Sequence, residues 1–198
     1  MRIFYLLLLL VSLTEVLNAR DDVFRGKNVG DVVKGKNVAY RIVDKYLNYF
    51  VLVRNVNDRD TVQREEEVFL PERVDSLMDV IVYEQLTPKE LSRFMKRSKD
   101  VAAPAGGLII YCLLNEDFKM KEVIFSFGND SSFWLDLPVD RFYEIEKRLK
   151  ELQLTPAERE NLDLTKNDVY TKCFSGHVSD IGLEAVRKAK SRAPGENK

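Results

Sequence analysis

The sequence predicts an α+β protein, with a small antiparallel β meander followed by an αββαβ module with a mixed or antiparallel sheet. Three observations carry that prediction. Residues 38–56 are dense in β-branched and aromatic side chains, as strands are. Two Thr-Pro-x-Glu strings, Thr87-Pro88-Lys89-Glu90 and Thr155-Pro156-Ala157-Glu158, each have the form of a capped helix start. Between them lies a nearly continuous apolar run, Leu108 to Leu114, and then an alternating one, Val123 to Phe127.

Composition narrows the function classes before any site is considered. The chain has 198 residues, enough for one medium domain or two small ones. Apolar residues at 45% and aromatics at 10% supply a core, so wholesale disorder is excluded. With 31 Lys+Arg against 32 Asp+Glu the net charge is −1, which argues against a nucleic-acid partner. One His and two Cys cannot build a four-ligand zinc site, and no HExxH or repeated CxxC is present. No metal or cofactor is therefore expected.

Residues 1–19 read as a secretory signal peptide. Met1-Arg2 gives a positive start, Ile3 to Val11 a continuous apolar stretch, and Leu17-Asn18-Ala19 a small-residue cleavage site. The apolar stretch is far short of the ~20 residues a membrane-spanning helix needs. No Cys stands at the cleavage point to carry a lipid, and no later segment is apolar for long enough to span a membrane. The mature protein is expected to be exported, periplasmic or extracellular, starting near Arg20 and carrying no transmembrane segment.

Residues 20–86 read as a mainly β region. Its first part is polar and Gly-punctuated, and Gly-Lys-Asn-Val occurs at 26–29 and again at 35–38, which suggests two similar turns leading into the first strand. Strands are expected at 38–43 and 49–56, with a turn at Asn57 to Asp60 and a return strand within 61–69. Residues 71–85 are ambiguous. Val74, Leu77, Met78, Ile81 and Val82 share a helical face, yet Val80 to Tyr83 alone resembles a buried strand.

Residues 87–176 read as helix, strand, strand, helix, strand. The first helix runs from its Thr87 cap to about Ser98, burying Leu91, Phe94 and Met95. Asn115 to Lys119 makes a hairpin loop. A helix after Pro138 carries Phe142, Ile145, Leu149 and Leu152 as an apolar stripe, a short helix follows Thr155, and a strand closes the module near 167–174. Residues 177–198 are left as a carboxy-terminal helix and a disordered tail.

Few residues invite chemistry. Cys173-Phe174-Ser175-Gly176-His177 brings a nucleophile and a base close in sequence, but no G-x-S-x-G elbow exists and steps of about 7 Å along a strand are too long for a direct hydrogen bond. Acidic groups such as Asp58 and Asp60, Glu65 to Glu67 and Glu116-Asp117 read as solvated turns. Asn57 to Asp60 lacks the Gly and terminal Glu of a calcium loop. Gly106-Gly107 precedes a strand and has no following Lys-Ser/Thr, so it cradles no phosphate. Arg187, Lys188, Lys190 and Arg192 read as a solvated basic tail. Asn129-Asp130-Ser131 is a sequon, and Asp60-Thr61-Val62 and Asp75-Ser76-Leu77 match short bacterial O-glycosylation acceptors.

Two pairs remain as candidates. Phe133-Trp134, beside the expected loop Gly128 to Ser132, is a candidate ligand or partner contact, with burial in the core as the competing reading. Cys112 and Cys173 form a candidate disulfide in an exported chain. It would close a loop of about 62 residues, worth ~4 kcal/mol on a chain-entropy basis; the alternative is two buried thiols.

The order of elements over 87–174, with Gly106-Gly107-Leu108-Ile109-Ile110-Tyr111 and the Asn115-Glu116-Asp117-Phe118-Lys119 hairpin, resembles the carboxy-terminal module of TonB energy transducers. Those proteins have a membrane helix and a Pro-rich segment that this chain lacks, so energy transduction does not carry over. The whole chain also resembles uncharacterised exported Gram-negative proteins of about 200 residues, a domain of unknown function. The functional expectation is an exported, non-enzymatic binding or cell-envelope accessory module whose partner is an envelope protein or extracellular ligand. The alternative is a small carboxylate-dependent hydrolase acting outside the cytoplasm.

Overall fold

A computed structural model describes residues 22–46, 50–58, 67–98, 107–115, 117–128, 132–160, 162 and 169–174. In chain order these form β1 (Val32–Lys34), β2 (Ala39–Tyr46), β3 (Phe50–Asn55), β4 (Glu67–Phe69), α1 (Glu72–Glu84), α2 (Pro88–Ser98), β5 (Leu108–Leu114) and β6 (Met120–Gly128). A 3-10 turn (Phe133–Asp136), α3 (Val139–Lys150), α4 (Pro156–Arg159) and β7 (Val169–Phe174) complete them. The fold is α+β. The described strands make one sheet in the order β1-β2-β3-β6-β5-β7-β4, antiparallel except for the β4–β7 edge pair.

Burial explains why the strands pair in this register. Ile42, Val53, Phe125 and Ile110 stand opposite one another across β2, β3, β6 and β5, and all four are fully buried. A slip of one residue would turn that row to the opposite face, so the register is strongly specified. On the same face α3 lays down Val139, Phe142, Ile145 and Leu149, and the Phe142 ring sits 5.2 Å from Phe125 and 5.1 Å from Phe127. Full burial of such a side chain contributes about 1.5–3 kcal/mol, so this layer supplies much of the fold's driving force. Phe24 joins the same cluster from the polar amino-terminal segment, 5.5 Å from Phe142. Backbone hydrogen bonds from Val139 N–H to the Asp22 carbonyl and from Arg25 N–H to the Leu135 carbonyl hold that segment down.

Four expectations are corrected or resolved. β1 precedes the strand expected at 38–43, and the second Gly-Lys-Asn-Val forms the β1–β2 turn, closed by Gly35 N–H on the Val38 carbonyl. Gly35 is needed there because a Cβ would collide with Asp140, whose carboxylate accepts from the Lys36 N–H at 2.9 Å. The meander does not stand apart from the later strands, since β3 pairs with β6 and joins both regions in one sheet. The expected return strand does not fold back on β3, whose free side β6 already occupies. Its described part, β4, crosses to the far edge and runs parallel to β7. Residues 71–85 settle as helix α1, where Val74, Met78, Ile81 and Val82 are buried at helical spacing.

Both Thr-Pro-x-Glu strings cap helices. Thr87 Oγ1 accepts from the Glu90 N–H at 3.2 Å while Glu90 accepts from the Thr87 N–H at 2.7 Å. Thr155 and Glu158 repeat the reciprocal pair. Glu158 is also gripped by Arg73 of α1 through two contacts of 2.8 and 2.7 Å, and that pairing holds its carboxyl down to about 2. Among the described residues no helix is long and apolar enough to cross a membrane.

Candidate functional site

The most concentrated polar chemistry is internal, at the end of β3 against α3. Tyr40 and Asn55 are register partners on β2 and β3, and so project on one face. Glu146 of α3 lies above them, buried at 3% exposure on the helix's apolar side. Its carboxylate accepts from the Tyr40 hydroxyl, from Asn55 Nδ2 at 3.2 and 3.3 Å, and from Lys150 Nζ one turn along the helix at 2.5 Å. Three donors on one buried carboxylate are what a low-dielectric setting demands of a charge. Burial and the Glu146 charge together push the Tyr40 phenol far up.

Asp58 extends the cluster from the turn after β3. Its Oδ1 lies 3.6 Å from Lys150 Nζ, while its buried Oδ2 finds no hydrogen-bond partner among the described residues. Burial raises its carboxyl to about 6; Lys150 opposes the shift, Glu146 and Glu122 add to it, and Arg54 opposes it. Lys150 is held protonated because its bonds to Glu146 and the Asp58 charge outweigh burial. On β3 and β6, Arg54 pairs with Glu122, which is 3% exposed. Sequence reading missed this network. The available signal was Glu146 itself, an acid falling between Phe142, Ile145 and Leu149 on a helix face that must be buried.

The aromatic candidates Phe133 and Trp134 are both fully buried. Trp134 is 5.2 Å and Phe133 5.4 Å from the ring of Phe94 on α2, with Tyr83 of α1 next to it at 6.0 Å. The pair is a core wedge between α1, α2 and the 3-10 turn, so it offers no surface to a ligand. Above it three arginines gather around Asp136. Asp136, which ends the turn, is gripped by the Arg25 guanidinium through both nitrogens of one edge. Arg93 and Arg97 of α2 each bring a guanidinium nitrogen to 3.8 Å from Asp136 Oδ2. Arg93 also lies over the Phe133 ring, 5.7 Å from its centroid.

The candidate disulfide is not formed. Cys112 is a free, fully buried thiol, which burial pushes up to about 12. The β5–β7 register places Cys112 opposite Tyr170 and Cys173 opposite Ile109. The two cysteines are thus offset by three residues, roughly 10 Å along the strands, beyond the reach of an S–S bridge.

Asp75, of one short acceptor string, lies in the first turn of α1. The sequon at 129–131, the Asp60-Thr61-Val62 string, His177 and the basic tail lie outside the described residues. Among the described residues, no group of three or more His, Cys, Asp or Glu side chains is placed to hold a metal ion.

Comparison with known proteins bears on the fold alone. No family model matches the chain, and no curated protein matches it. A solved structure does: that of a DUF5043 family protein from Bacteroides uniformis ATCC 8492. It shares 16% identity over 77% of this chain and 95% of that one, with a TM-score of 0.52. The likeness agrees with the expected resemblance to a domain of unknown function; the TonB-type resemblance of residues 87–174 is not confirmed by it.

Proposed function

We propose that this chain is an exported, non-enzymatic binding or cell-envelope accessory module, cleaved near Ala19. The observation that carries the reading is the closure of the carboxylate network on itself: Glu146 is met by Tyr40, Asn55 and Lys150 from within the core, and so spends its acceptor capacity holding α3 to the sheet. Export is supported by the leader pattern and by the docked segment that follows it. Cleavage after Ala19 would leave Asp22, Phe24 and Arg25, with all their contacts to α3 and the 3-10 turn, in the mature protein.

One observation favours the hydrolase alternative. Asp58, raised to about 6, has a pKa suited to a general acid near neutrality. Turnover assays separate the two. Purified mature protein, assayed at pH 5–8 on ester, glycoside and peptide substrates, is expected to show nothing above background. Turnover that disappears in Asp58→Asn would overturn the binding reading. Amino-terminal sequencing tests export separately: a start near Arg20 is expected, and Met1 intact in the cytosol would overturn it.

A further inference from the structure

We propose that a second copy of this chain docks on the β1–β3 end of the sheet, on the face opposite α3, through a two-fold contact in which Arg41 of each copy meets Asp44 of the other. The inference goes beyond the binding-module reading and does not depend on it. The large hydrophobic side chains that are exposed among the described residues all belong to this end of the sheet: Val29 and Val32 at β1, Val43 on β2, and Phe50 and Val56 at the two ends of β3. Such side chains scattered singly need no explanation, but gathered on three adjoining strands they mark an interaction surface. Register places two unlike charges in the middle of it. Val51, Val53 and Asn55 turn to the buried side, so Leu52 and Arg54 between them turn to the outer one. Arg41 pairs with Arg54 and Asp44 with Leu52, which puts Arg41 and Asp44 on that outer face too. The bulge between Ile42 and Asp44 carries the exposed Val43 out between them. Both charged residues are exposed, and among the described residues neither has an ion-pair or side-chain hydrogen-bond partner. Arg54, by contrast, is taken by Glu122.

The occupant is a second copy because the surface complements itself. A two-fold axis crossing β2 midway between Arg41 and Asp44 exchanges those two positions, so a positive group meets a negative one twice. The same axis exchanges the levels of Ala39 and Tyr46. Val56 N–H bonds the Ala39 carbonyl and Phe50 pairs with Tyr46, so Phe50 of one copy falls on Val56 of the other. Val32, opposite Arg41, falls near Val29, which precedes the Gly30 N–H bonded to the Ile42 carbonyl. Sheets stack face to face about 10 Å apart, a gap that side chains of this size fill. Pairing edge to edge through β1 fits less well, because that strand has 3 residues and ends on Lys34.

The test is sedimentation equilibrium of the mature protein over a wide range of concentration, where a monomer–dimer equilibrium is expected. Arg41→Asp and Asp44→Arg should each weaken self-association by about tenfold or more, since each sets like charges together twice. Mixing the two variants should restore the dimer, because the exchanged charges then meet with opposite sign at both contacts. Lys147→Glu makes the same change in net charge as Arg41→Asp at an exposed position on α3, and should alter association by no more than about twofold. Phe50→Ser should weaken the dimer by about tenfold as an apolar anchor is lost, and it carries the test if a charge variant unfolds. A parent that stays monomeric leaves the face to some other occupant and would overturn the proposal. So would equal losses in Arg41→Asp and Lys147→Glu, a mixture no more associated than its components, or open-ended polymers, since a two-fold contact closes at two copies. These outcomes are read separately from turnover, on which the binding-module reading stands or fails.

Discussion

The Tyr40 hydroxyl donates a hydrogen bond to the Glu146 carboxylate, bridging β2 to α3 in the core. That contact changes the meaning of an acid on an apolar helix face. Glu146 sits where a leucine would be expected, and the sheet below it answers with Tyr40 and Asn55 at one register position. The polar network is therefore built from both layers at once and fixes how α3 is seated.

Removing one donor should cost less than removing the shared acceptor. Tyr40→Phe leaves Glu146 with Asn55 and Lys150, so a loss of about 1.5 kcal/mol is expected. Glu146→Leu strands Tyr40, Asn55 and part of the Lys150 charge, so about 3–5 kcal/mol is expected. Urea unfolding of the two variants checks the order. A Glu146→Leu protein more stable than the parent would show that the network contributes no net stability.

Asp58 gives the stability curve an unusual pH slope. Its folded pKa, about 6, lies above its ordinary 3.8. The folded state therefore binds a proton that the unfolded state releases between those values. Its contribution is fully present below about 3.8 and is lost as pH rises through about 6. From pH 7 to pH 5 the parent should gain on Asp58→Asn by about 1.3 kcal/mol. Parallel pH profiles for the two proteins would rule out this titration.

Trp134 is the chain's one tryptophan and is fully buried, so its emission should be blue-shifted in the native state and move red on unfolding. Its indole N–H finds no hydrogen-bond partner among the described residues. Trp134→Phe thus deletes an unsatisfied donor along with some packing, and the two effects should offset to within about 1 kcal/mol. Trp134→Ala keeps only the packing loss and should cost about 3–5 kcal/mol. A Phe variant as damaging as the Ala variant would mean that the N–H is bonded after all.

How much of this was legible depends on the range of the determinant. The capping boxes at Thr87 and Thr155, the apolar run at 108–114 and the stripe Phe142, Ile145, Leu149 are written within a few residues, and sequence pattern finds them. The position of β4 is not local. Glu67–Phe69 pairs with a strand about a hundred residues later, because β6 occupies the side of β3 that a return strand would need. The same holds for the polar groups. Asp136 meets Arg25 from 111 residues away, and Glu146 meets Tyr40 from 106. Phe133-Trp134 reads as a candidate contact from its loop neighbours, but α1 and α2 close over it with Tyr83 and Phe94, and no spacing rule reports that.

The cysteine pair supplies the last prediction. The proposed export would favour a disulfide between the only two cysteines, but pairing geometry decides whether one forms. On β5 and β7 the partners are Cys112 with Tyr170 and Ile109 with Cys173. Joining the cysteines would require a slip of three residues, and an odd slip would turn the buried face of β5 outward. That face includes Leu108, Ile110 and Cys112, all fully buried, so the slip would expose much of the sheet's core. Protein prepared without reductant and then denatured should therefore release two titratable thiols per chain. In the native protein Cys112, buried and raised to about 12, should react only at the rate of unfolding. Fewer than two thiols after denaturation, restored by reductant, would mean that the β5–β7 register is wrong.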